Sequence, residues 1–295
     1  MLSCAIFVSL TLAVHAADAP SILAEGAAVT LVSNEFAFTE GPTVDKEGNV
    51  YFTDQPNDRI CKWAPGGGIE TWLHPSGRSN GLGFDGAGNL WSCADAKNEL
   101  WKIAPDKTVT VVVKDFEGKL LNGPNDLWID GMGGVYMTDP FYKREYWSRG
   151  DREQPGMAVY YLAPDGVTLA RVAADFKAPN GIIGTPDGKH LYVSDLGDKK
   201  TWRYDIGEGG ELNNKTLFCE MGSDGMTIDS EGNVFLTAKG VFVFNPAGEQ
   251  IEHIEIDAPW TANVCFGGPD LQTLFITAGT GVYTVQTRVK GVGSQ

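Results

Sequence analysis

Six short motifs in the chain begin at Glu40, Asn80, Asn125, Asn180, Asp224 and Ala262. Five of these six positions carry a side-chain oxygen. Two carboxylates and three amides suit a hard cation, because calcium takes about six to eight oxygens from carboxylates, amide carbonyls and water. No sulfur or imidazole accompanies them, as zinc or copper would favour. One divalent cation is therefore expected: calcium first, with magnesium, manganese or zinc as the other candidates. Asn-Gly and Asp-Gly also start turns, so Asn80-Gly81, Asn180-Gly181 and Asp224-Gly225 could serve local structure alone. Glu40-Gly41-Pro42 argues against that reading, since glutamate has no turn preference yet occupies the same column.

The elements that must position this column are legible as a repeat. EGPTVDKEGNVYFTD (40–54), NGLGFDGAGNLWSCAD (80–95), NDLWIDGMGGVYMTD (125–139), NGIIGTPDGKHLYVSD (180–195), DGMTIDSEGNVFLTA (224–238) and the weaker ANVCFGGPDLQTLFITA (262–278) share one plan. An apolar run leads to a turn rich in Asp, Gly and Asn, then to an aromatic or β-branched run, which is hairpin chemistry. Two further strand-like runs follow most copies. Four strands per unit, with starts 40, 45, 55, 44 and 38 residues apart, is the spacing of propeller blades. The expected fold is all-β: a six-bladed β-propeller of four-stranded antiparallel blades around a central channel. The last copy shows only three strands, and Val29–Ser33 is expected to supply its fourth and close the ring. Because innermost strands line the channel in parallel, the oxygen column should form a ring at one channel mouth.

Other residues read as structural. Asp54, Asp95, Asp139 and Asp195 end second strands and are expected to cap turns. The longest interval holds an irregular stretch of aromatic and charged residues, Phe141 to Ala158, expected as a long loop on one face. Of the histidines, His190 and His253 fall in strand-like runs and His74 in a loop. No serine-nucleophile motif supports a Ser-His-Asp mechanism. Cys61, Cys93, Cys219 and Cys265 form no zinc pattern and sit among apolar neighbours, as buried thiols do.

A net charge of −15 disfavours a nucleic-acid partner. Residues 1–16 combine an apolar run with Val14-His15-Ala16 before Ala17, which reads as a signal peptide despite the missing early Lys or Arg. A secreted or periplasmic protein is expected, with 17–295 as one propeller domain, no membrane span and a monomeric state.

The segments EGPTVDKEGNVYFTD, LNGPNDLWIDGMGGVYMTD, PNGIIGTPDGKHLYVSD and SDGMTIDSEGNVFLTA resemble the gluconolactonase / senescence marker protein / luciferin-regenerating enzyme family over about residues 30–290. The resemblance implies a six-bladed propeller with a single catalytic divalent cation. It implies Glu40, Asn125, Asn180 and Asp224 as metal ligands, Asp224 as the catalytic group, and Asn80 and Asn125 toward the substrate. Arg144, with Arg78 and Tyr142, would reach the pocket from loops. The activity it implies is hydrolysis of a small sugar lactone. A lactonase or phosphotriesterase of other specificity, or a propeller that only binds a ligand, are the alternatives.

Overall fold

The structure is a computed structural model, and it describes residues 21–293. The expected signal peptide at 1–16 lies outside the described residues. Six four-stranded antiparallel sheets follow one another around an axis. Blade one runs Thr39–Val44, Val50–Asp54, Arg59–Ala64 and Gly68–Leu73 from axis to rim. Blades two to five repeat this order, with inner strands Ser79–Phe84, Leu127–Ile129, Pro179–Gly184 and Met226–Ile228. Blade six has Thr261–Gly267, Thr273–Ala278 and Gly281–Gln286, and its outer strand comes from the other end of the chain. Thr30–Ser33 fills that place, pairing Thr30 with Thr284 and Leu31 with Tyr283. The ring closes as the repeat count required.

The second strands differ from a simple half-buried alternation. All five residues of Val50–Asp54, Leu90–Ala94 and Val135–Asp139 are buried. Each blade is sandwiched between two others, so both faces of its inner strands are covered. The core is accordingly divided into six clusters, one at each blade interface. Trp91, Cys93 and Leu100 of blade two meet Ile129, Met137 and Tyr160 of blade three. Phe52 and Trp63 of blade one meet Phe275 and Val282 of blade six across the closure. The fully buried Phe52, Phe235 and Phe275 each contribute roughly 2–3 kcal/mol of transfer free energy.

The hairpin turns follow their sequence chemistry. Asp45, Asp85, Asp130 and Asp229 each accept backbone N–H bonds from residues two and four positions ahead. All four cysteines among the described residues are free and buried. His190 Nδ1 meets Asp205 Oδ1 at 2.9 Å, and His253 stacks on Phe242 at the rim. One short 3-10 turn, Gln55–Asn57, leaves the second strand of blade one. Among the described residues, no helix is long and apolar enough to cross a membrane.

Candidate active site

The oxygen column sits where the inner strands break register. Pairing slips between Glu40 and Thr43, Ser79 and Leu82, Pro179 and Ile182, and Thr261 and Asn263. In blades three and five the regular inner strand begins only after Asn125 and Asp224. Such irregularities re-aim a side chain out of the pleat. Glu40, Asn80, Asn125 and Asn180 are all buried, and Asp224 keeps some exposure.

These residues make contact across blades. Asn180 Nδ2 donates to Asp224 Oδ1 at 2.8 Å and lies 3.3 Å from the Tyr142 hydroxyl. Trp260 Nε1 donates to the other Asp224 oxygen, Oδ2. Glu40 Oε2 accepts the Gly41 N–H at 3.0 Å. Asn80 and Asn125 touch neighbouring blades through their carbonyls, from Thr53 Oγ1 at 3.1 Å and Gly81 N at 2.7 Å.

The next column holds what the sequence reading missed. It reads Gly41, Gly81, Asp126, Gly181, Gly225 and Asn263. A Cβ at Gly81 would come within 2.5 Å of Asp126 Oδ1, and one at Gly225 within 1.9 Å of Asn263 Cγ. Gly81 and Gly225 therefore leave space for two polar side chains on the axis, and Gly41 and Gly181 let the backbone of the next blade approach. Those two meet each other: Asn263 Nδ2 lies 3.4 Å from Asp126 Oδ2, a long contact between blades three and six. The signal was available, because a glycine column with two polar exceptions marks the crowded positions. In the sixth copy the first position is Ala262, which carries no oxygen, and the polar side chain stands one residue later at Asn263.

Three carboxylates thus share one enclosed space. Burial pushes Asp126 up to about 7 and Asp224 up to about 6. Burial, then the charge of Asp224, holds Glu40 well above the usual carboxylate range. Arg144 acts in the opposite direction on Asp224. Among the described residues, no group of three or more His, Cys, Asp or Glu is arranged to hold a metal ion by itself. A cation here would have to draw amide oxygens into its shell, as the column suggests. Below Asp126 and Asn263 the channel holds a cavity of about 120 Å³, lined by inner-strand residues such as Leu82, Ile182 and Phe266.

The second strands supply a support for this floor. Thr53, Thr138, Ser194, Thr237 and Thr277 are fully buried, one in each of five blades. Thr53, Ser194 and Thr237 donate to the Asn80, Ser223 and Ala262 carbonyls of the next blade. Blade two has Cys93 in that position.

The aspartates that end second strands were expected to cap turns within a blade, but in three blades they hold the connection that arrives from the blade before. Asp54, Asp139 and Asp195 each accept two backbone N–H bonds from the chain entering their own inner strand. Asp95 does something else. Its Oδ2 accepts Arg144 Nε at 3.0 Å, the Tyr146 hydroxyl, and Gln55 Nε2 at 3.3 Å. Its carbonyl accepts Trp147 Nε1 at 2.7 Å. Asp95 is the anchor of the long irregular stretch, which ends where a strand begins at Met157. Arg149 adds a second anchor on the Leu121 and Asn122 carbonyls, stacked against Trp147. The stretch is pinned over blades two to four, with Tyr142 and Arg144 turned to the mouth.

Residues 38–280 match the family model described as SMP-30/Gluconolactonase/LRE-like region. The chain belongs to that family. It is 32% identical to a gluconolactonase of Zymomonas mobilis, over 92% of this chain and 84% of that protein. It is 29% identical to diisopropyl-fluorophosphatase of Loligo vulgaris, over 84% of this chain and 88% of that one. The solved structure of a gluconolactonase from Xanthomonas campestris superposes with a TM-score of 0.85 at 26% identity, covering 90% of this chain and 91% of that one.

Proposed function

We propose that this SMP-30/gluconolactonase/LRE-like protein is a lactone hydrolase that opens a sugar lactone with the help of one divalent cation at the channel mouth. The single observation that carries the reading is the cluster of Glu40, Asp126 and Asp224. Three carboxylates share an enclosed space, with Arg144 as the cationic side chain acting on Asp224. Such a cluster is costly unless a cation joins it. The identity to gluconolactonases over most of the chain supports the reaction class.

The donor set fits a hard cation. Glu40, Asn125, Asn180 and Asp224 would hold it, and calcium suits their oxygens best. When bound, the cation would supply Lewis acidity for the carbonyl oxygen of the lactone. The chain's own residues do the rest. Asn180 and Trp260 each occupy one oxygen of Asp224, so the carboxylate cannot rotate. A fixed carboxylate raised to about 6 can take a proton from an attacking water near neutral pH. Asn80 and Asn125 offer amides to sugar hydroxyls, and Arg144 closes the mouth from above. A cation beside Asp224 would weaken it as a base, but a lactone is a reactive ester and asks for modest activation.

The test is hydrolysis of D-glucono-δ-lactone before chelation, after it, and after calcium is returned. We expect activity to vanish with chelator and recover with calcium. Chelator-resistant activity would remove the cation from the reaction, and no activity with any metal would leave a binding propeller. Export rests on residues 1–16; N-terminal sequencing of protein recovered outside the cytoplasm should begin at Ala17.

A further inference from the structure

The first part of the irregular stretch, from Phe141 to Arg149, closes on itself through three side chains. The guanidinium of Arg149 stands 4.2 Å from the centre of the Trp147 ring and 5.3 Å from that of Phe141. The two rings lie 5.9 Å apart. Phe141 opens this loop and Arg149 ends it, so the stack is the base of the loop. Its tip holds Tyr142, Arg144 and Tyr146.

Arg149 also fastens the base to blade three. Its Nη1 donates to the Leu121 carbonyl at 2.7 Å, and its Nη2 to the Asn122 carbonyl. Those carbonyls belong to a fixed stretch of chain, because buried Asp139 accepts the Asn122 and Gly123 N–H groups at 2.9 and 2.8 Å. The base sits directly on that stretch: a Cβ at Gly123 would come within 3.0 Å of the Trp147 ring. Beyond Arg149, buried Gln154 donates through Nε2 to the Lys119 carbonyl at 3.0 Å. A planar guanidinium can stack on rings and fork onto two carbonyls at once, which a lysine cannot reproduce.

Two anchors therefore divide the loop. Asp95 holds Arg144, Tyr146 and Trp147, while the Phe141 end is held by its stack on Arg149. Tyr142 follows directly. Its hydroxyl lies 3.3 Å from Asn180 Nδ2, which also donates to Asp224 Oδ1 at 2.8 Å. With Asn180 as its donor, the hydroxyl keeps its own proton to give to another acceptor beside Asp224.

We propose that Arg149 is a positioning residue for the reaction: by closing the base of the loop it sets the Tyr142 hydroxyl against Asn180 and Asp224, where that hydroxyl can donate to the substrate. Arg149 touches no reacting group and acts through Phe141 and Tyr142. The inference rests on the lactonase reading above and deepens it.

The experiment is a double-mutant cycle on D-glucono-δ-lactone turnover with Arg149→Met, Tyr142→Phe and the double variant, in calcium. Hydrogen exchange of amides 142–147 is followed in the same proteins, with the melting temperature as a check on folding. Each single variant should lose about 10–100-fold in kcat, with less than about threefold change in KM. The double variant should fall by less than about threefold below the weaker single one, because both remove the same contact. Arg149→Met should speed exchange across 142–147 by at least about tenfold. Arg149→Lys, which keeps the charge but not the fork, should lie between it and the wild type in both readouts. Losses that multiply in the double variant, or loop exchange unchanged by Arg149→Met, would overturn the proposal. If the wild type opens no lactone with any metal, the lactonase reading is what fails. Loop exchange that still quickens in Arg149→Met then leaves Arg149 as the residue that holds Tyr142 at a binding site.

Discussion

Asp224 meets a donor at each oxygen, and that determines what its neighbours can do. Trp260 Nε1 holds Oδ2 and Asn180 Nδ2 holds Oδ1. Asp224→Asn keeps the volume and removes the proton acceptor. We expect turnover of glucono-δ-lactone to fall by about 10³ or more with an unchanged circular dichroism spectrum. Wild-type rates from that variant would remove Asp224 from the chemistry. Trp260→Phe deletes one charge-assisted bond while keeping a ring. About a 10–100-fold loss in kcat is expected, with a smaller effect on KM. The charges beside Asp224 also make stability depend on pH. Glu40, Asp126 and Asp224 all have folded pKa values above those of an unfolded chain, which lie near 4. The folded protein thus keeps protons that the unfolded chain releases. This contribution is fully present below about pH 4 and is lost as pH rises toward about 7. Without metal, the melting temperature should drop over that window. Calcium should restore it, and should do so more at pH 7.5 than at pH 5. Equal calcium shifts at the two pH values, measured by calorimetry, would argue against a cation among these carboxylates.

At the scale of the strand, the site depends on backbones that approach closely. Gly41 has φ +42°, and a Cβ there would lie 2.0 Å from the Asn80 carbonyl oxygen. Gly41→Ala should therefore spread blades one and two at the mouth. We expect a loss of roughly 1–3 kcal/mol in chemical denaturation, with weaker calcium binding by calorimetry. The hydroxyls beneath are a second device. Thr237 Oγ1 donates to the Ala262 carbonyl of the next blade and accepts the Gly225 N–H. Thr237→Val keeps the shape and removes both bonds, while the Gly225 N–H still donates to the Ala262 carbonyl at 2.7 Å. The expected cost is about 0.5–1.5 kcal/mol in the same denaturation measurement.

At the scale of the whole molecule, closure depends on four residues near the start of the described chain. Thr30–Ser33 covers the outer edge of Gly281–Gln286. Deleting the chain through residue 33 would expose that edge and part of the core between blades five and six, to which Ile22 contributes. We expect a lower melting temperature and self-association in size-exclusion chromatography, where the full chain should elute as a monomer. A monomeric deletion variant of unchanged stability would show that closure contributes little.

Blade number, strand order and the closing strand were legible in the chain because each blade repeats one local pattern of turn residues and apolar runs. The oxygen column was legible for the same reason, since equal positions in equal repeats stand at equal heights around one axis. What stayed hidden are the features that break the repeat. Asp126 and Asn263 stand where the other copies have glycine, and they meet across 137 residues of chain. Trp260 reaches Asp224 from blade six, and Asp95, which looks in the sequence like one of four equivalent caps, alone anchors Arg144 and Tyr146. Local pattern dictates what each blade does by itself, through turn preference and alternation. Which side chains face one another across the axis depends on closing the ring, a long-range event that no single segment encodes.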